Sequence, residues 1–144
     1  MRKMTQQETT AFLSEGTRTG KLAWVSSSGA PHVAPVWFTL DGDDVVFNTH
    51  TDSGKAKSLR REGRACLLVD LEAPPYAFVK IDGTISIEDD LDRVREVASI
   101  IGGRYMGADR AVEFGERNGV PGELVIRLTP TKVTALDDVS GYQD

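Results

Sequence analysis

Apolar and polar side chains alternate from Ala77 to Ile87, near the middle of the chain. The odd positions are apolar or glycine, and the even positions are mostly polar, as at Lys80 and Asp82. A period of two predicts a long β-strand with one buried face. Gly83 lies within the apolar series and predicts a bulge or sharp bend, which would curve the sheet towards a barrel.

The other patterns predict short elements separated by turn residues. Thr5 and Glu8 fit a capping box that begins a short helix. The stretch 88–101 carries an apolar helical stripe, and Gly102 and Gly103 are expected to end that helix. Further predicted elements are a hairpin loop at 41–44, helices at 53–62 and 108–117, and strands at 21–25, 32–40, 45–49, 65–70, 123–130 and 131–138.

This order of elements predicts a mainly β fold with peripheral helices. Consecutive short strands at hairpin spacing favour an antiparallel barrel over a doubly wound sheet. The 144 residues fit a single domain, 1–144. Pro35 lies within a predicted strand, where it cannot donate a ladder hydrogen bond, so it predicts a sheet edge or an opening in the barrel.

The helix predicted at 53–62 begins with positive charge. Helix N-termini favour acidic side chains, yet Lys55 and Lys57 stand in the first turn. The preceding Thr49 and Ser53 add hydroxyl groups, and free backbone N–H groups point the same way. Two interpretations remain open here: a phosphate-binding site, or a solvated basic surface without a ligand. The segment lacks the glycine and hydroxyl spacing of a P-loop.

The charge of the whole chain narrows the possible partners. The net charge is -5, and the stretch 53–64 carries +4 of its own, so the rest of the chain carries -9. An acidic protein with one basic spot suggests a particular anion and argues against nucleic-acid binding. The two histidines have no acidic neighbours at ligand spacing, so no metal site is expected. No apolar stretch is long enough to span a membrane and no signal-peptide block is recognisable, which predicts a cytoplasmic protein without membrane association.

The strand PHVAPVWF carries large apolar side chains beside the proline. Val36, Trp37 and Phe38, next to backbone groups left unpaired by Pro35, would suit a planar ring whose edge hydrogen-bonds to main chain. The alternative is that Trp37 and Phe38 only form the core and surface of a strand. Arg104 and Tyr105 present a similar choice between covering a ligand and packing a helix end.

Several of these segments together resemble the pyridoxamine 5'-phosphate oxidase-like split-barrel superfamily. The resemblance is carried by the strand GAPHVAPVWF, the helix KAKSLRRE, the strand AFVKIDGTISI, and the shorter sequences RYMG and RLTP. It covers residues 10 to 138 and is strongest with the actinobacterial coenzyme F420-dependent reductases. It implies an antiparallel split β-barrel that forms a homodimer with cofactor sites at the subunit interface.

The resemblance also implies where a cofactor would bind. The ring would lie against Pro35, Val36 and Trp37, and Asn48 and Thr49 would lie at the end of the next strand. The phosphate would lie among Ser53, Lys55 and Lys57, with a contribution from Arg61. The resemblance leaves the catalytic side chains unassigned.

Two cofactors are compatible with such a frame, F420 and FMN. Pyridoxamine phosphate oxidases carry extra basic residues near the C-terminus, whereas ALDDVSGYQD is acidic here. The resemblance therefore favours an F420H2-dependent oxidoreductase that transfers a hydride to an unsaturated small molecule of tetrapyrrole, quinone or polycyclic type. The alternatives are an FMN-dependent oxidase or reductase, and a non-catalytic carrier of flavin or haem.

Overall fold

The computed structural model describes residues 1–141, so the last three residues of the predicted domain lie outside the described part. It contains eight strands and four α-helices, with a 3₁₀ turn at Ala108–Arg110. The strands are β1 Arg2–Lys3, β2 Gly20–Val25, β3 Pro31–Val36, β4 Thr39–Asp41, β5 Asp44–His50, β6 Arg64–Leu71, β7 Ala77–Glu88 and β8 Glu123–Asp137. The helices are α1 Gln6–Ser14, α2 Gly54–Glu62, α3 Leu91–Met106 and α4 Ala111–Asn118.

The strands form one antiparallel sheet, which confirms the predicted mainly β class. Its order is β3-β2-β6-β7-β8-β5-β4, and β1 pairs with β8. The two ends of this path, β3 and β4, are separated along the chain by Trp37 and Phe38 alone. Because the three Cα–Cα steps from Val36 to Thr39 reach only about 11 Å, the sheet must curl until its two ends come close together. The result is the split-barrel architecture.

The alternating segment forms β7, a 12-residue strand with one buried face. Its pairing with β8 shifts in register between Asp82 and Gly83, which confirms the predicted bulge. A β-carbon on Gly83 would overlap the carbonyl oxygen of Thr129 on the neighbouring strand. Glycine therefore allows the close approach of two backbones at the bend.

Two predictions about the strands are wrong. The predicted strand 32–40 is divided into β3 and β4, because the chain turns at Trp37 and Phe38 to pass from one end of the sheet to the other. The two predicted closing strands are instead one 15-residue strand, β8. Pro130 is tolerated within β8 because it pairs at the Gly83 bulge, just beyond Leu128, where pairing with β5 ends.

The start of α1 and both ends of α2 agree with the sequence, whereas α3 differs at both ends, since it begins at Leu91 and Glu88 belongs to β7. Thr5 Oγ1 accepts from the Glu8 N–H at 3.1 Å and Glu8 Oε1 accepts from the Thr5 N–H at 3.1 Å, which confirms the capping box. Ser53 caps α2, and Gly63 ends it in the left-handed conformation at φ 67°. Gly102 and Gly103, however, do not end α3, which continues to Met106.

The core fills the interior of the barrel. Its largest fully buried side chains include Phe38 at the corner, Phe47 of β5, Leu22 of β2 and Leu59 of α2. Leu59 shows that α2 is built into the barrel wall, where it contacts β2, β5 and β6. The core therefore fixes the position of the basic helix, and the charged N-terminus of that helix faces outward.

Candidate cofactor site

The start of α2 follows β5 after a three-residue connection that supplies hydroxyl groups. Ser53 Oγ accepts from the Ala56 N–H at 3.0 Å and lies 3.2 Å from Thr49 Oγ1. The N–H groups of Gly54 and Lys55 lie in the first turn, where no intrahelical acceptor is available. Thr49, Ser53 and this first turn thus come together as the sequence predicts, and they present donors to one point.

Lys55 is the most unusual charge at this point. Its side chain is half-buried, and burial lowers the pKa of its ammonium group. Within residues 1–141 it has neither a hydrogen-bond acceptor nor an acidic partner, and its Nζ lies 5.9 Å from the centroid of the Trp24 ring. A partly desolvated cation without a counter-ion favours an anionic ligand. Lys57, two residues further along the helix, is exposed.

The two arginines of α2 both have hydrogen-bond partners within the protein. Arg61 Nη2 donates to the Val25 carbonyl at 2.7 Å, at the end of β2. Arg60 Nη2 donates to Thr51 Oγ1 at 3.3 Å. Arg61 therefore ties the helix to the β2–β3 hairpin, and its predicted contact with phosphate would need this bond to be shared or broken.

A pair of stacked rings, Trp24 and His32, lies beside Lys55 and was not predicted from the sequence. Trp24 and His32 are cross-strand partners of β2 and β3, and their rings stack 5.6 Å apart at 14°. Single-strand patterning assigns them no common site, because only the register of the hairpin brings them opposite each other. The signal in the sequence was the placement of Trp24 and His32 on either side of the SSSG turn, where a hairpin would pair them.

The predicted ring-binding strand is an edge strand. Among the described residues β3 pairs with β2 alone, which confirms the edge expected from Pro35. Pro35 is exposed and Val36 is buried, with 7% of its surface accessible. The unpaired edge of β3 leaves main-chain groups available to a ligand next to the barrel wall.

Trp37 and Asn48 have partners within the protein. The Trp37 ring stacks on Tyr105 with centroids 5.1 Å apart and 3° between the planes, and 39% of the residue is exposed. Asn48 Nδ2 donates to the Leu124 carbonyl at 3.2 Å, on the neighbouring strand β8. Trp37 thus presents only its remaining surface to a ligand, and Asn48 serves the β5–β8 ladder.

The corner after Trp37 is held by the RYMG segment of α3. Arg104 Nη1 donates to the Phe38 carbonyl at 2.8 Å, and the Phe38 N–H donates to the Tyr105 hydroxyl at 3.3 Å. The Tyr105 hydroxyl in turn donates to the Arg18 carbonyl at 2.9 Å. The sequence left open whether Arg104 and Tyr105 cover a ligand or pack a helix end, and the structure shows instead that they hold the backbone of the Phe38 corner.

A cavity lies elsewhere, between α1 and the second half of β8. Its volume is about 860 Å³, and its walls include Leu13, Leu40 and Val133. None of the predicted cofactor residues lines it. Across residues 1–141 no group of three histidine, cysteine or acidic side chains is arranged to hold a metal ion. In the same range no helix is long and apolar enough to cross a membrane.

Comparison with known proteins places these features in a family context. The model of the family described as pyridoxamine 5'-phosphate oxidase matches residues 5–137. No curated protein matches the sequence.

Several solved structures share the fold at low sequence identity. The conserved hypothetical protein Rv2991 from Mycobacterium tuberculosis has a TM-score of 0.84 and 21% identity, with 98% of this chain and 90% of that one covered. An F420 reductase has a TM-score of 0.67 and 24% identity, with 85% and 94% covered. HutZ, the haem storage protein from Vibrio cholerae, has a TM-score of 0.68 and 19% identity, with 92% and 94% covered.

Proposed function

Because this chain belongs to the pyridoxamine 5'-phosphate oxidase family, we propose that it is an oxidoreductase that uses reduced coenzyme F420. It would transfer a hydride to an unsaturated small molecule of tetrapyrrole, quinone or polycyclic type. The observation that carries the proposal is Lys55, a half-buried cation beside a helix N-terminus that has no acidic partner among residues 1–141. The F420 reductase among the structural neighbours supports the choice of cofactor.

The residues at the start of α2 fit a phosphate diester. Ser53 and Thr49 offer hydroxyls, the first-turn amides offer N–H donors, and Lys55 and Lys57 offer charge. Charge-assisted hydrogen bonds of this kind are about twice as strong as neutral ones. A bound phosphate would also offset the cost of burying Lys55 and the repulsion of cations in the first turn.

The ring would lie along the free edge of β3, near Pro35, Val36 and Trp37. When bound, reduced F420 supplies a hydride from C5 of its ring. Reduction of the substrate double bond would use that hydride together with a proton from solvent. The protein positions the cofactor and supplies the electrostatic environment. The edge of β3 orients the ring, and the N-terminal turn of α2 holds the phosphate.

We further propose that two copies of the chain assemble around the cofactor in the cytoplasm. Val25 and Val33 lie on the outer face of the β2–β3 hairpin, with 39% and 68% of their surfaces exposed. A second copy that covers this face would shield apolar surface and close the open edge beside β3. Sedimentation velocity would then give twice the mass of the chain, and Val33→Glu would shift it towards the monomer.

Titration with F420 and, separately, with FMN tests the choice of cofactor. We expect tight quenching of F420 fluorescence and weaker binding of FMN. Micromolar binding of FMN without binding of F420 would instead favour the FMN-dependent alternative that the family description supports. If the protein binds either ring tightly but no acceptor reoxidises the reduced form, a carrier function is correct.

A further inference from the structure

Phe38 lies at the corner where the barrel closes, and its main chain belongs to neither flanking strand. The residue is completely buried. Buried backbone groups without partners are costly, so the N–H and C=O of Phe38 need partners from outside the sheet. The immediately preceding residues, Val36 and Trp37, are those proposed to face the cofactor ring.

Arg104 provides one half of the support for this corner. Besides the bond to Phe38 O at 2.8 Å, its guanidinium donates to Leu13 O at 2.7 Å and to Gly16 O at 3.0 Å. It also lies 4.7 Å above the centroid of the Phe38 ring. One side chain of α3 therefore links the corner to the end of α1 through three carbonyl groups, a geometry that lysine cannot reproduce.

Tyr105 provides the other half. Its hydroxyl accepts from the Phe38 N–H and donates to the Arg18 carbonyl. Burial raises the pKa of this hydroxyl, so it stays protonated and keeps its donor at neutral pH. The same ring stacks against Trp37, while Phe114 of α4 lies 6.2 Å from the indole at an angle of 60°. Backbone and side chain of the corner are thus fixed from one side.

We propose that Arg104 and Tyr105 are positioning residues for the cofactor ring, which they serve by holding the Trp37–Phe38 corner. The inference rests on the proposed function, because it assumes a ring at the edge of β3. A support behind the strand keeps the main chain of Val36 and Trp37 at a set distance and orientation from the ring. Without it the phosphate site at α2 would be unaffected, since α2 is anchored separately through Leu59 and Ser53.

This separation gives the inference a distinctive consequence. Changes at the corner should weaken the binding of the ring whether or not the ligand carries a phosphate. Changes at Lys55 should weaken only the phosphorylated ligand. A purely structural role for Tyr105 would lower thermal stability without either effect.

The experiment compares oxidised F420 with the deazaflavin riboside that lacks the phosphate and tail. Tyr105→Phe keeps the aromatic stack but loses both hydroxyl bonds, and we expect it to raise the Kd of both ligands by the same factor, about 3- to 10-fold. Arg104→Gln should raise both Kd values by a similar or larger factor. Arg104→Lys should raise them less, because lysine keeps the charge but cannot reach all three carbonyl groups. At saturation, the absorption band of bound F420 should shift in Tyr105→Phe and stay unchanged in Lys55→Gln.

Arg95→Gln is the matched control. Arg95 also extends from α3 and donates to a backbone carbonyl, that of Gly119 at 2.9 Å, away from the corner. It should lower the melting temperature without changing either Kd. If Arg104→Gln does not fold, Tyr105→Phe still decides the question.

Two results would overturn the inference, and they can be told apart. If wild type binds F420 but Tyr105→Phe leaves both the Kd values within twofold and the absorption band unchanged, the corner does not position the ring, and the proposed function stands. If wild type binds neither F420 nor FMN, the proposed function fails and this inference fails with it.

Discussion

Gly102 of α3 lies directly against Phe114 of α4, so closely that a β-carbon on Gly102 would overlap the β-carbon of Phe114. The glycine is therefore a packing residue in the interior of a helix, where its low helix propensity is offset by the close contact of two helices. Its neighbour Gly103 has more space: the nearest atom to an added β-carbon would be Ala111 Cβ at 3.2 Å.

This difference in packing predicts that alanine at these two neighbouring positions changes the stability of the protein by different amounts. Gly102→Ala should destabilise the protein by about 1–3 kcal/mol, because overpacking outweighs the gain in helix propensity. Gly103→Ala should change stability much less, since a gain of about 1 kcal/mol in propensity offsets a tight contact. Urea unfolding of both variants measures the difference, and equal free energies of unfolding would contradict the packing explanation.

Charge reversal at the start of α2 should separate binding from folding. Lys55→Glu combined with Lys57→Glu is expected to weaken binding of a phosphorylated cofactor by about 2–4 kcal/mol, because charge-assisted hydrogen bonds are lost. The fold should survive, as both side chains reach solvent. Fluorescence titration gives the affinity and circular dichroism the fold.

Lys3→Glu combined with Lys132→Glu is the control for this charge reversal. It changes the net charge equally but acts at the cavity beside α1, which no residue of α2 lines. Native affinity in the Lys55 and Lys57 double variant would mean that the phosphate binds elsewhere. An equal loss in both double variants would point to a general electrostatic effect.

Ser53 should contribute to both helix stability and phosphate binding, and two substitutions separate these roles. Ser53→Ala removes the cap and should cost about 1 kcal/mol of stability, whereas glycine at this position costs only a few tenths. Both variants lose the hydroxyl, so both should bind the phosphorylated cofactor more weakly. If Ser53→Gly binds as wild type does, the hydroxyl only caps the helix.

The ion pairs at the N-terminus predict a pH dependence of stability. Arg2 contacts Glu8 at 2.8 Å and Asp137 at 2.7 Å, and its hydrogen bond lowers the pKa of Glu8 to about 2. Because the folded pKa lies below the ordinary 4.5, this contribution to stability is complete above pH 4.5 and is lost as the pH falls towards 2.

Glu8→Gln tests that dependence, because glutamine can keep the capping box but carries no charge. The melting temperature of wild type should exceed that of Glu8→Gln above pH 4.5, and the two should converge near pH 2. A difference that stays constant across this range would show that the Arg2 pair contributes nothing measurable, as is common for exposed pairs.

The predictions from local patterns were correct where local chemistry decides the structure. The capping box of Thr5 and Glu8, the bulge at Gly83 and the cap at Ser53 each depend on residues close in sequence or on one backbone requirement. The failures at Gly102, at Pro130 and at the division of strand 32–40 have a shared cause. In each case a contact with a distant element outweighed the local preference.

The candidate site divides in the same way. Thr49, Ser53 and Lys55 come together because they belong to one strand-to-helix connection. Their role in binding stays a prediction, as do those of Pro35, Val36, Trp37, Asn48, Lys57 and Arg61. The Trp24–His32 pair and the bond from Arg61 to Val25 could not be predicted, because they depend on hairpin register and on how α2 packs against β2.

The β-rich class, the bend in β7 and the cationic helix start all follow from the order of the residues, because side-chain period, backbone freedom and charge can be read along one chain. Only the tertiary structure decided that β3 and β4 meet at Phe38 and that Arg104 and Tyr105, 66 and 67 positions later, hold that corner. The reason is physical: a buried backbone group takes whichever partner the folded barrel brings within reach, and that partner leaves no periodic trace in the sequence.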